Sequence, residues 1–207
     1  SASKALQVSL GAASGQQQAW ENLKSSKDLS ALQGFLKEYP GSPFSGQVQQ
    51  RIEEVEWEGV NKRDVGALKG FLQRHPKSSF AQQAEGEIAG LEKEQRLAAD
   101  RQAILQVLAG YAAAYRRMDP AAVRAAWPGI PKETLDTIQR TFRNARAMEL
   151  RLVPLREPSV TDDAAEVVCQ RETRQTFRDG ATPPPVQDRV TIRLTRTKNG
   201  WVIDSVQ

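Results

Sequence analysis

The chain carries one histidine, His75, and one cysteine, Cys169. These two counts bound the chemistry. A Ser-His-Asp or Cys-His relay needs a histidine placed beside its nucleophile, and a zinc centre needs three or four such ligands, so both constellations lack members. A single cysteine also excludes an internal disulfide. No G-x-G-x-x-G or P-loop string is present to cradle a phosphate. No cofactor or metal is expected. His75 stands before Pro76 at the end of a helical pattern and aligns with Tyr39 in an internal repeat, so it reads as aromatic filler ahead of a turn. The polar side chain that stands out is Arg171, in phase with Val167 and Cys169 along a strand pattern. A guanidinium in an apolar setting needs a carboxylate partner or an anionic ligand.

The elements that must position these groups follow from length and patterning. The chain has 207 residues, 39% hydrophobic and 26% charged, which suits one large domain or two of about 100 residues with true cores. Its most apolar stretch, Ala103 to Tyr115, falls short of the roughly 20 residues that span a bilayer. No membrane insertion is expected. Residues 1–98 carry 12 basic and 12 acidic residues, whereas residues 99–207 carry 17 and 13, so the formal charge of +4 lies wholly in the second half. Fifteen of those 17 basic residues are arginines, but they alternate with acids and apolar positions rather than forming a basic run interleaved with aromatics. Nucleic acid is therefore not an expected partner.

Shifted by 36 residues, the segment from Asp28 to Leu91 superposes on itself: Asp28 on Asp64, Leu32 on Leu68, Phe35 on Phe71, Pro40 on Pro76, Ser42 on Ser78, Phe44 on Phe80, Ile52 on Ile88. Trp20 pairs with Trp57 at a shift of 37. Each copy reads as two helices. Leu29, Leu32, Phe35 and Leu36 form a stripe begun by Asp28 as N-cap and ended before Pro40. Ser42-Pro43 then reads as a capping hydroxyl and helix-starting proline for Phe44, Val48, Ile52 and Val55. The phrases W-x-x-L, F-L-x-x-x-P and P-x-S-x-F-x-x-x-A-x-x-x-I resemble the tetratricopeptide-like helical repeats over residues 16–94. That family's period is about 34. The resemblance implies a protein-binding scaffold of antiparallel helical hairpins.

Beyond it, apolar residues from Ile104 to Tyr115 keep helical spacing with no proline between Leu91 and Met118, so one long helix is expected to run on. Asp119-Pro120 ends it. A short helix over Ala121–Trp127 and a third from Lys132 to about Arg146 follow. The period then changes to two, over Met148–Val153, Ala165–Phe177 and Val190–Leu194, with Lys198-Asn199-Gly200 turning into a last strand, Trp201–Val206. This order predicts an α+β domain in which helices cover one face of an antiparallel meander.

The strings I-L-x-x-L-x-x-Y-x-x-A-Y-x-x-x-D (Ile104 to Asp119), Trp127-Pro128 and N-G-W-V-I (Asn199 to Ile203) resemble the nuclear transport factor two-like superfamily, which includes ketosteroid isomerase and SnoaL-like proteins. The resemblance covers residues 100–207 and implies a cone of helices wrapped by a curved sheet, enclosing an enzyme pocket, a ligand site or plain core. It implies that Tyr111 stands where the isomerase carries its oxyanion-binding tyrosine. The isomerase's proton-abstracting carboxylate has no counterpart over Pro128 to Pro131. Asp119 is expected in a turn and Asp136 on a polar helix face. Tyr111, Tyr115, Trp127 and Arg171 are the candidate ligand-binding residues, and no catalytic residue is assigned.

The expected organisation is an N-terminal extension (residues 1–18), tetratricopeptide-like helical repeats (19–98) and a nuclear transport factor two-like α+β domain (99–207). Three functions compete: a non-catalytic binding or protein-interaction module, taking a protein partner or a small apolar or anionic ligand; an isomerase- or dehydratase-like enzyme; and a domain that dimerises through its sheet. Opening on Ser1 with no signal-like apolar segment, the chain reads as a fragment of a larger bacterial protein; its single cysteine does not fix the compartment, and an extracytoplasmic, membrane-anchored setting is one of the readings left open.

Overall fold

The computed structural model describes residues 14–207; the first 13 residues of the expected N-terminal extension lie outside the described residues, and 14–23 are helical (α1). The chain forms two units, one ending at Lys93 and the other running Glu94–Gln207.

In the first unit, Asp28 accepts the N–H of Ala31 at 3.1 Å and opens α2 (Leu29–Glu38). Asp64 does the same for Gly66 and Ala67 at the start of α4 (Val65–Arg74). Each helix is C-capped by the residue before a proline, Tyr39 and His75, whose N–H groups bond back to Phe35 and Phe71. The expectation for Ser42-Pro43 needs correcting. The helix α3 (Ser45–Gly59) starts after both residues, and its N-cap, Phe44, makes no side-chain cap bond. Ser42 instead accepts the N–H of Phe44 at 3.3 Å within a turn closed by Ser45 N–H on the Ser42 carbonyl. Ser78 repeats that turn ahead of α5 (Ala81–Arg117). The proline is spent on the turn, so the helix begins one step later.

Two separate cores result. Trp20, Leu32, Phe35, Val48 and Ile52 form one; Trp57, Leu68, Phe71, Ala84 and Ile88 form the other. They are the same five positions of the repeat, and each large apolar side chain so buried stabilises by about 1.5–3 kcal/mol. Trp57, late in α3, belongs to the second core: its ring stacks on Phe80 with centroids 5.4 Å apart and tilts against Phe71 at 5.0 Å. Lys62 lies over the same indole, its ammonium 3.6 Å from the centroid. His75 packs against Phe71, as the aromatic-filler reading expects, and also bonds Glu56 through Nε2 at 2.9 Å. Arg74 shares that carboxylate at 3.1 Å, and the two partners outweigh burial to hold Glu56 below the usual carboxylate range.

The second unit begins within α5, whose Ile104, Leu108, Tyr111 and Ala114 are buried. Met118 ends that helix in the left-handed region (φ 52), which lets Asp119 N–H reach the Ala114 carbonyl. Asp119 then caps α6 (Pro120–Ala126) through Ala121 and Ala122. After Trp127 and a Pro128–Pro131 break comes α7 (Lys132–Asn144), which buries Leu135, Ile138 and Phe142. Five strands follow: β1 (Ala145–Pro154), β2 (Ser159–Thr161), β3 (Ala164–Phe177), β4 (Val186–Thr197) and β5 (Gly200–Val206). All pairings are antiparallel, in the order β1-β3-β4-β5, with β2 beside β3.

The unit is thus α+β: helices followed by a curled antiparallel sheet that forms a half-barrel around them. Alternation puts Met148, Leu150, Val167, Cys169, Val190, Ile192, Leu194, Trp201 and Ile203 on the inner side, in one core with the helices. Burial pushes the Cys169 thiol up to about 11, so it stays protonated and acts as a small apolar filler. Gly200 (φ 110) turns the β4–β5 hairpin. Beside it Asp100 of α5 accepts from Arg196 at 2.5 Å and from the Trp201 indole at 3.2 Å, fastening the hairpin to the helix. No helix among the described residues is long and apolar enough to cross a membrane.

Candidate functional site

Tyr111 and Tyr115 lie four residues apart on one face of α5, so their rings meet edge to face at 5.2 Å and their hydroxyls lie 3.2 Å apart. Phe142 of α7 supports Tyr115 edge-on at 5.3 Å. Trp127 enters from the end of α6, its orientation fixed by an indole N–H donated to the Asp204 carbonyl at 2.9 Å. That carbonyl is available because Asp204 is skipped in the β4–β5 register, where Ile203 faces Leu194 and Ser205 faces Arg193. Arg171 comes from the inner side of β3. These four side chains line one cavity of about 380 Å3, which Glu133, Thr134, Thr137 and Ile138 of α7 and Val206 of β5 complete.

Arg171 has a carboxylate partner that the sequence reading did not assign. Asp188 stands directly opposite it in the β3–β4 register and accepts two hydrogen bonds from one edge of the guanidinium, Nε to Oδ1 at 2.8 Å and Nη2 to Oδ2. Strand parity carried the signal, since Asp188 is in phase with Val190, Ile192 and Leu194. The Arg171 guanidinium holds Asp188 below the usual carboxylate range. A carboxylate whose folded pKa lies below its unfolded value stabilises fully above about pH 4 and loses that contribution as pH falls through the folded value. The stability gap between the protein and Asp188→Asn, read from urea midpoints, is therefore expected to be open at about pH 6 and to close towards about pH 2.

Burial raises the pKa of both phenols above the ordinary tyrosine value, and Arg171 only partly offsets this. Both remain protonated at neutral pH. Two hydroxyls that share one mutual hydrogen bond retain one further O–H proton between them, and that proton can be donated into the cavity. A carboxylate also reaches the site. Glu133, on the first turn of α7 and exposed, lines the same cavity as Tyr111. The stretch over Pro128–Pro131 indeed holds none, and the one present comes two residues later. Asp119 lies in the α6 cap.

A larger groove of about 740 Å3 lies elsewhere in the second unit, and its arginines are paired: Arg101 with Glu157, and Arg156 and Arg193 both with Glu166. In the first unit a groove of about 700 Å3 runs over Gly59, Gly66, Ala67 and Gly70. Among the described residues no cluster of His, Cys, Asp and Glu is placed to hold a metal ion.

No family model matches the chain, and no curated protein does. Solved structures do resemble it over about half its length. A nuclear transport factor 2-like protein with a cystatin-like fold from Novosphingobium aromaticivorans is 18% identical, covers 57% of this chain and 86% of its own, and superposes with a TM-score of 0.47. A nuclear transport factor 2-like superfamily protein from Salmonella enterica is 18% identical over 53% and 89%, with a TM-score of 0.44. A ketosteroid isomerase-like protein from Erwinia carotovora atroseptica is 20% identical over 52% and 92%, with a TM-score of 0.42.

Proposed function

We propose that the second unit is a non-catalytic binding domain that takes a small, mostly apolar ligand in the Tyr111–Arg171 cavity. The first unit, with its tetratricopeptide-like repetition, serves as a protein-contact scaffold. One observation carries the ligand reading. Four aromatic and cationic side chains from three elements close around one cavity, and a phenol pair there keeps a proton to donate. Arg171 is already neutralised by Asp188, so an anion would meet no net positive charge there. A neutral ligand bearing one carbonyl acceptor suits the cavity better.

The probes are 2-acetylnaphthalene, its hydrocarbon analogue 2-ethylnaphthalene and the carboxylate 2-naphthoate, titrated against tryptophan fluorescence. The ketone is expected to bind most tightly, and the double variant Tyr111→Phe with Tyr115→Phe, which removes both hydroxyls, to weaken it roughly three- to tenfold while leaving the hydrocarbon unchanged. Tightest binding of the naphthoate, or binding of none of the three, overturns the reading. Glu133 favours a second reading, proton transfer at a carbon next to the carbonyl. Protein-dependent deuterium exchange into the ketone's methyl group, abolished by Glu133→Gln, would establish that reading instead.

A further inference from the structure

Among the described residues β1 pairs on one edge only, with β3, and β2 continues along the same side of β3 beyond the end of β1. Leu155 donates its N–H to the Val168 carbonyl at 2.8 Å. Counting back along the unbroken register, the odd-numbered residues of β1 turn their N–H and C=O groups to β3, and Met148, Leu150 and Leu152 turn theirs to the opposite edge. An edge of this kind is a template for another strand. The charged side chains project from the outer side, where Glu149 faces Arg174 and Arg151 faces Glu172 across the β1–β3 pair. Acid and base thus alternate both along β1 and across to its neighbour.

We propose that β1 pairs antiparallel with the β1 of a second copy of this chain, about a two-fold axis at Leu150. That register satisfies three independent requirements. It sets Glu149 of each copy against Arg151 of the other, so two opposite-charge pairs form, whereas an axis one residue away would set Glu149 or Arg151 against itself. It makes Leu150 with Leu150, and Met148 with Leu152, the hydrogen-bonded pairs, which are the positions whose backbone groups point outward. It places Pro154, which has no N–H, opposite Arg146, where the ladder ends. It also sets Val153, 52% exposed, beside Ala147 of the second copy. The inference does not depend on the cavity's ligand.

The test is sedimentation equilibrium of the full chain over a concentration series, with amide hydrogen exchange read at Met148, Leu150 and Leu152. A reversible dimer is expected, those three amides gaining protection as concentration rises while the amides of Glu149 and Arg151 do not change. Glu149→Arg sets arginine against arginine at both pairs and is expected to weaken the dimer roughly tenfold or more. Adding Arg151→Glu to it restores the complementary pairs and the dimer. A monomer at every concentration, a dimer in which the three amides gain no protection, or a folded double variant without recovery overturns the proposal. Circular dichroism establishes folding of each variant, and if Glu149→Arg does not fold, the exchange data on the unaltered chain decide.

Discussion

Replacing Trp57 with alanine is expected to destabilise the helical unit by about 3–5 kcal/mol, the range for removing a large aromatic from a packed core. The indole is 7% exposed and contacts three separate segments: Phe71 of α4, Phe80 ahead of α5, and Lys62 in the turn between α3 and α4. Its loss strips the stacking from Phe80 and Phe71 and leaves Lys62 over empty space. Burial lowers the Lys62 pKa, and its ammonium donates to the carbonyls of Trp57 and Val60. Trp57→Phe keeps a ring in place and should recover more than half of the loss. Urea unfolding followed by far-ultraviolet circular dichroism measures both. A loss below about 1 kcal/mol for the alanine variant would mean that the second core tolerates a void this size, against ordinary packing behaviour.

The second large effect is at Trp127. Alanine there removes a side chain that is 7% exposed, again about 3–5 kcal/mol, and opens one wall of the 380 Å3 cavity. Phenylalanine separates packing from hydrogen bonding. It fills most of the space but cannot donate to the Asp204 carbonyl, which the bulge in β5 leaves outside the ladder. Losing this part-buried hydrogen bond costs about 0.5–1.5 kcal/mol. The order of stability expected from urea midpoints is therefore native, then Trp127→Phe, then Trp127→Ala. Equal stability of the native and phenylalanine forms would show that water replaces the indole N–H without penalty.

Much of this architecture could be read before folding, for reasons that differ between segments. The repeat was legible because the same five core positions recur at a nearly fixed shift, and each buried position tolerates few residue types. Strand parity placed Arg171 on the inner side, and the spacing of Tyr111 and Tyr115 placed both on one helix face. Asp188 escaped notice because β4 was read from Val190, where the apolar alternation starts, although the strand begins at Val186 in polar residues that a neighbouring strand alone can organise. Glu133 carries no such signal, because it lies two residues beyond Pro131, outside the stretch where the isomerase resemblance places a carboxylate. The three-residue β2 carries too little pattern to be seen. The Ser42 turn was mistaken for a helix cap because a serine followed by proline fits both geometries, and only the backbone bond from Ser45 distinguishes them.

The helix α3 contributes Val48 and Ile52 to one core and Trp57 to the next, so it faces two neighbours at once and no core draws on more than three consecutive helices. Growth of such a protein requires no redesign. An additional 36-residue copy, spliced in at the turn after Val60, would receive the existing indole from behind and hand its own forward, so duplication in the gene can lengthen the array while every interior contact type stays as it was.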